Sequence, residues 1–228
     1  MTEKIKKGDF VELTYTGRVK SNNEIFDLND EKVAKENNLH NPKMKYEPTV
    51  VCVGRREVIE GLDDALDGKH EGEEFEISIV PEKAFGKRDS KLYQLVNAAK
   101  FKKSEMTPVP GMSVTINNMP AIIRSVSGGR IMVDFNHPLA GKEVSYKVRV
   151  GKLVRDPQRQ VESILKVLIN RDVKVTVEGE KASVDFEVPE QIAKEVEKGI
   201  CECVSAVKMV EFKKPAAKKE LSKKEQEE

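Results

Sequence analysis

The chain has 228 residues, 38% apolar and 35% charged, and its 40 Lys and Arg against 39 Asp and Glu leave a net charge of +1. That is more than one ordinary domain, and so even a charge argues against a dedicated polyanion partner, so no nucleic-acid binding is expected. No stretch approaches the ~20 apolar residues that cross a bilayer and the first residues lack the apolar core of a secretory leader, so a cytoplasmic protein with no membrane partner is expected.

The first periodic segment is residues 9–18. Val11, Leu13 and Tyr15 alternate there with Glu12, Thr14 and Thr16, the signature of a strand with one covered face. Thr16-Gly17 ends the run, and Glu24-Ile25-Phe26-Asp27 then sets an aromatic ring beside a carboxylate at a strand end. Residues 31–36 read as a short exposed helix and Asn41-Pro42 as a turn, with no function assigned to either. Further strands are expected at 50–53 and 75–80. Between them Val58 and Ile59 enter a short helix that ends at Leu66. Leu62, Ala65 and Leu66 share one face, Gly61 admits a close neighbour, and Glu60, Asp63 and Asp64 mark the solvated side.

Taken together, residues 11–17 (Val-Glu-Leu-Thr-Tyr-Thr-Gly), Phe26-Asp27, Val53-Gly54, residues 57–62 and Ala84-Phe85-Gly86 resemble the FKBP-type peptidyl-prolyl isomerases over about residues 5–88 and 133–155. Members of that family keep a brief loop after the Ala-Phe-Gly segment, whereas here the chain takes a long detour before it resumes a strand at 142–154, with Val144, Tyr146, Val148 and Val150 on one side. Residues 90–100 read as a helix through Leu92, Val96 and Ala99. Met112, Val114 and Ile116, then Ala121 and Ile123, then Ile131 and Val133 read as three strands turned at Asn117-Asn118 and at 127–129. The closing motif, residues 134–142 (Asp-Phe-Asn-His-Pro-Leu-Ala-Gly-Lys), looks like the end of the insert-in-flap domain of SlyD-type members.

After Arg155 the organisation changes. Asp156-Pro157 is a cap and first-turn proline for a helix with Val161, Ile164, Leu165 and Leu168 on one face. Val173, Val175 and Val177, then Ala182, Val184, Phe186 and Val188, form a hairpin pattern. Pro189 opens a helix with Ile192 and Val196 inward, ended by Gly199, and a last strand is expected from about Cys203 to Phe212. The fold class is therefore α+β: a twisted antiparallel FKBP sheet around a short helix (1–88 with 132–155), an inserted β-rich domain (89–131), an α-β-β-α-β domain (156–212) and a disordered charged tail (213–228). So small a C-terminal unit, with unpaired sheet edges, suggests a homodimer through that domain.

The site residues follow from the resemblance. It implies a prolyl pocket walled by Tyr15, Phe26, Val58, Ile59, Leu62, Phe85 and Tyr146, with the Ile59 N–H donating to a substrate carbonyl and Asp27 anchoring Tyr15 and facing the twisting amide. It also implies a surface on the insert for unfolded polypeptides, for which Leu92, Tyr93, Val96, Met106, Met112, Met119 and Ile122 are the candidates. Two positions depart from the family. Leu62 stands where many members carry tryptophan, and Phe85 where many carry a tyrosine that donates to the ligand, so that hydrogen bond is expected to be missing and macrolide affinity to be weak. His137 reads as a turn residue. The cysteines at 52, 201 and 203 and the histidines at 40, 70 and 137 are too scattered for a disulfide framework or a metal set, so no cofactor or metal is expected. The implied activity is peptidyl-prolyl cis-trans isomerisation with chaperone action. The rival reading is a holdase of unfolded chains whose pocket no longer turns over.

Overall fold

The computed structural model describes residues 3–98, 101 and 107–212; the expected tail at 213–228 lies outside them, as do Ala99 and Met106. The first sheet contains β1 (Phe10–Val19), β2 (Ile25–Leu28), β3 (Thr49–Cys52), β4 (Glu74–Ile79) and β9 (Val144–Leu153), ordered β2-β1-β9-β4 with β3 also on β1, every pair antiparallel. Val11 and Leu13 turn one way from β1, toward Val51, Val148 and Val150 and the helix α2 (Glu60–Leu66), whose Leu62 and Leu66 are buried among them. The helix lies close because residue 61 is glycine: a Cβ there would sit 2.5 Å from Ile79 Cγ2. The short helix α1 (Glu31–Glu36) forms as expected, its first turn closed by the Asp30 carboxylate accepting from the N–H groups of Lys32 and Val33.

Asp63 does not stand on the solvated side. It is 5% exposed, and its two oxygens accept from the N–H groups of Gly54 at 2.9 Å and Arg56 at 3.0 Å, so it braces the turn that delivers Val58 and Ile59. Buried carboxylates are tolerated where backbone donors satisfy them, and a helix pattern alone does not reveal such donors. Glu57 braces the same turn from the other end, accepting from the Cys52 N–H at 2.8 Å.

A second sheet is built from β5 (Tyr93–Asn97), β6 (Ser113–Ile116), β7 (Met119–Ser127) and β8 (Arg130–Asp134), ordered β5-β8-β7-β6. The helix expected at 90–100 is here a single 3-10 turn (Ser90–Leu92) followed by β5, which pairs residue for residue with β8 from Tyr93↔Asp134 to Asn97↔Arg130. Three apolar residues in eleven fit either period, and the available backbone edge of β8 decides the matter. Strand β8, which a boundary at 131/132 would divide, lies wholly in this sheet. Its core is Phe101, Val114, Ala121, Ile123, Ile131 and Val133.

The last part runs α3 (Pro157–Ile169), β10 (Val175–Glu178), β11 (Lys181–Val184), α4 (Glu190–Cys203) and β12 (Met209–Phe212), in the expected order. Strands β10 and β11 form the hairpin, and β12 joins β11 in parallel. Helix α4 does not stop at Gly199. It continues to Cys203, because the extra turn buries Ile200, and Val204 caps it. Ile192 and Leu168, expected inward, are exposed, while Val196 packs against the core as expected. That core is not confined to residues 156–212: Phe10 and Cys52 of the first sheet and Val154 belong to the same buried cluster as Val161, Leu165, Val184 and Ile200. The small unit thus completes its core against the back of β1 and β3, so size alone no longer calls for a second copy. Burial pushes the Cys52 thiol up to about 12, in keeping with a small inert hydrophobe.

Candidate functional site

One face of the first sheet, with the segments around α2, brings together the residues named for the prolyl pocket. Tyr15 comes from β1, Phe26 and Asp27 from β2, Val58 and Ile59 from the approach to α2, Leu62 from its first turn, Phe85 from the segment after the 3-10 turn at Pro81–Lys83, and Tyr146 from β9. Leu62 and Tyr146 are buried, and Tyr15, Phe26, Val58, Ile59 and Phe85 pack against the same cluster while remaining partly open to solvent. Phe26 is the hub. Its ring meets Phe85 edge-to-face at 5.6 Å and Tyr146 edge-to-face at 5.7 Å, and Tyr146 lies tilted against Tyr15 at 5.9 Å. These are the favoured quadrupole geometries for aromatic pairs. Gly17 makes the packing feasible, since a Cβ there would stand 2.8 Å from Phe26 Cζ and 3.0 Å from the Tyr146 ring.

The polar side of the site centres on Asp27. Burial raises its carboxyl above the usual range, while hydrogen bonds from the Tyr15 hydroxyl and the Leu28 N–H pull the other way. Tyr15 responds in kind: burial, and then the neighbouring Asp27 charge, push its hydroxyl up to about 12. Burial, followed by Asp27 and Tyr15, likewise raises the Tyr146 phenol. Two residues that sequence reasoning passed over hold this pair in place. The Thr49 side chain hydrogen-bonds the Tyr15 oxygen, and Asn29 reaches from Thr49 Oγ1 (3.1 Å) to the Leu13 carbonyl (2.8 Å) while accepting from the Tyr15 N–H at 2.7 Å. The only sequence signal was an Asx residue directly after a strand, which is too common to single out.

Phe85 carries no hydroxyl, and one face of its ring is covered by His137, stacked at 4.8 Å and 5°. His137 thus contributes more than a turn. The junction carrying it is tied to the rest by Asp134, 1% exposed, which pairs with the guanidinium groups of Arg88 and Arg124, the latter at 2.7 Å and 2.9 Å. Burial alone would raise this carboxyl, but the amide and N–H of Asn136 and then the two arginines hold it well below the ordinary carboxylate range. Asn136 in turn accepts from the Asp89 N–H and donates to the Asp89 carbonyl. The result is a clasp across the two chain segments that lead into and out of the second sheet.

The residues named for unfolded-chain binding divide. Leu92 and Met119 are exposed, Tyr93 and Ile122 are partly open, and the Tyr93 hydroxyl accepts from Arg88. Val96 and Met112 instead pack against the core of the second sheet, Val96 because alternation along β5 turns it inward where a helix had been expected. Met106 lies outside the described residues. Leu95, Val109 and Val126 are exposed apolar residues of the same region that the sequence reading did not name. Among the described residues no group of three His, Cys, Asp or Glu side chains could hold a metal, and no helix is long and apolar enough to cross a membrane.

An aromatic cluster packed beside a short helix on an antiparallel sheet defines an α+β class of sheet-and-helix proteins, and comparison with known proteins fixes the family. The family model for FKBP-type peptidyl-prolyl cis-trans isomerase matches residues 1–102, and one described as the IF domain of FKBP26 matches residues 94–139. A short-type peptidyl-prolyl cis-trans isomerase from Methanocaldococcus jannaschii is 39% identical over 150 residues, covering 66% of this chain and 94% of that protein. The FKBP-type isomerase SlyD from Helicobacter pylori is 33% identical over 153 residues, covering 65% and 73%. An FKBP-type 16 kDa isomerase from Escherichia coli is 31% identical over 107 residues, covering 45% and 72%. The chain belongs to the FKBP-type peptidyl-prolyl cis-trans isomerases.

Proposed function

We propose that this protein catalyses rotation about Xaa-Pro bonds in unfolded polypeptides, using Tyr15, Phe26, Val58, Ile59, Leu62, Phe85 and Tyr146 as the prolyl pocket. The observation that carries the reading is the ring set centred on Phe26 beside an Asp27 that is hydrogen-bonded by Tyr15. Rotation faces a barrier of about 18–20 kcal/mol because the amide loses resonance at the twisted midpoint. No bond breaks, so no nucleophile or proton carrier is required. At the midpoint the carbonyl is less polar than in the planar amide, and a water-poor aromatic wall favours that state over the planar one. Lowering the barrier by about 5 kcal/mol gives nearly four powers of ten in rate. In this reading the N–H of Ile59, the residue that opens α2, donates to the substrate carbonyl and Asp27 faces the rotating amide.

The exposed apolar residues Leu92, Leu95, Met119 and Val126 support a second role for the inserted sheet as a loose holding surface for unfolded chains. Held there, a client meets the pocket at raised effective concentration. Exchange spectroscopy on an Ala-Pro peptide tests the catalytic reading: acceleration that drops sharply in Asp27→Ala supports it. No acceleration, with stoichiometric suppression of aggregation, would establish the rival holdase. The homodimer is a separate question, for which strands β10 and β12 are the outer strands of their sheet among the described residues; a monomer by light scattering removes it.

A further inference from the structure

The bulge between β2 and β3 was assigned no role by its sequence, yet it builds the far wall of a second hollow. This hollow has a volume of about 220 Å³ and is lined by Phe26 and Asp27 of the prolyl site together with Ile25, Leu39, Met44 and Tyr46. Leu39 and Met44 are 48% and 53% exposed, so two large apolar side chains stand half in water at its rim. They are held there by construction. The Tyr46 hydroxyl accepts from the Asn41 N–H at 2.8 Å, the Tyr46 ring stacks on His40 at 5.3 Å, the Leu39 N–H reaches the Ala34 carbonyl, and the Met44 N–H reaches the Asn41 carbonyl. A loop braced by polar contacts that leaves its apolar side chains outward gains nothing in folding from that arrangement; it gains when something apolar covers them.

We propose that this hollow is a specificity subsite of the isomerase: it takes a bulky aliphatic or aromatic side chain of the substrate polypeptide, from a residue next to the proline or one further along. The inference rests on the catalytic reading of the Phe26 pocket. The occupant follows from continuity, because Phe26 and Asp27 form a shared wall, and one extended residue advances the chain by only about 3.3–3.6 Å. By liquid volume the hollow holds about seven waters, room enough for one large side chain that displaces them. Apart from Asp27, already engaged by Tyr15, and the Tyr46 hydroxyl, already bonded within the bulge, its lining is apolar, so a charged or amide side chain finds no unspent partner there.

The test uses the full-length protein and a double variant, Leu39→Ser with Met44→Ser, on proline peptides carrying Leu or Ala at the flanking positions in turn. Two quantities are read: the Leu-to-Ala ratio of kcat/KM, and the Leu-to-Ala ratio of Kd by fluorescence anisotropy. The expected result is a ratio at one flanking position that favours Leu in the parent and falls about tenfold in the double variant, chiefly through KM, with Leu39→Met retaining most of it. A ratio that the double variant leaves unchanged at every position overturns the subsite. Peptides that bind with the expected Kd ratio but are not turned over would uphold the subsite and overturn the catalytic reading instead.

Discussion

His137 lies flat on Phe85, with ring centroids 4.8 Å apart and planes 5° from parallel. The Leu139 N–H donates to His137 Nδ1 at 3.2 Å, which fixes the ring's orientation. A residue that comes after the inserted sheet thus backs a wall residue that comes before it. His137→Ala should lower kcat/KM toward Ala-Pro peptides about two- to tenfold, the worth of one aromatic pair, while His137→Phe keeps most of the rate. Equal losses in the two variants would show that the stack is not what matters.

Thr49 offers a readout independent of activity. Its hydrogen bond to the Tyr15 oxygen lowers the Tyr15 pKa against the larger effects of burial and Asp27. Thr49→Val should therefore move the phenolate titration, followed by ultraviolet absorbance, upward from about 12, and reduce turnover severalfold. A titration that stays put would detach Thr49 from the pair.

Asp134 predicts an acid-sensitive junction. Its folded-state pKa is depressed, so the stability it contributes is present above the unfolded value of about 3.9 and is lost as pH falls through that value toward the lower folded one. Asp134→Asn should cost about 2–3 kcal/mol at neutral pH, less than a fully buried pair because Arg88 and Arg124 stay partly solvated. The gap between parent and variant should narrow progressively in thermal melts run at pH values stepped downward from about 4. A gap independent of pH would mean that the charge is irrelevant and only shape was lost.

Two glycines separate stability from function. Gly61→Ala drives a methyl into Ile79, which is buried and has nowhere to retreat, so a stability loss of about 1–3 kcal/mol is expected in denaturant unfolding. Gly17→Ala presses hardest on Phe26 Cζ, at 2.8 Å, which is partly exposed and can yield, and less closely on the buried Tyr146 ring at 3.0 Å. It should cost less stability and more activity. The reverse ordering would remove Gly17 from the pocket's design.

The legible parts of this chain were those in which short-range pattern and structure share a cause. The alternation of Val11, Leu13 and Tyr15, the entry of α2 through Val58 and Ile59, the close approach at Gly61 and the helix-strand-strand-helix-strand order of the last part all follow from side-chain period, caps and turn residues. The misread parts turn on partners distant in sequence. Residues 93–97 became a strand because β8 presented an edge, and Asp63 went inside because the Gly54 and Arg56 N–H groups were waiting for it.

By itself the sequence determined which side chains alternate onto one face of β1 and β9 and which segments form the supporting strands, since side-chain period is a property that each segment carries on its own, while the aromatic set was named through the family resemblance. Only the tertiary structure decided that Asn29 and Thr49 hold Tyr15, that His137 backs Phe85, and that the cluster around Phe10 and Cys52 closes the core of the C-terminal strands. Those contacts join residues far apart along the chain, and a polar or apolar side chain carries no local mark of the distant partner that satisfies it.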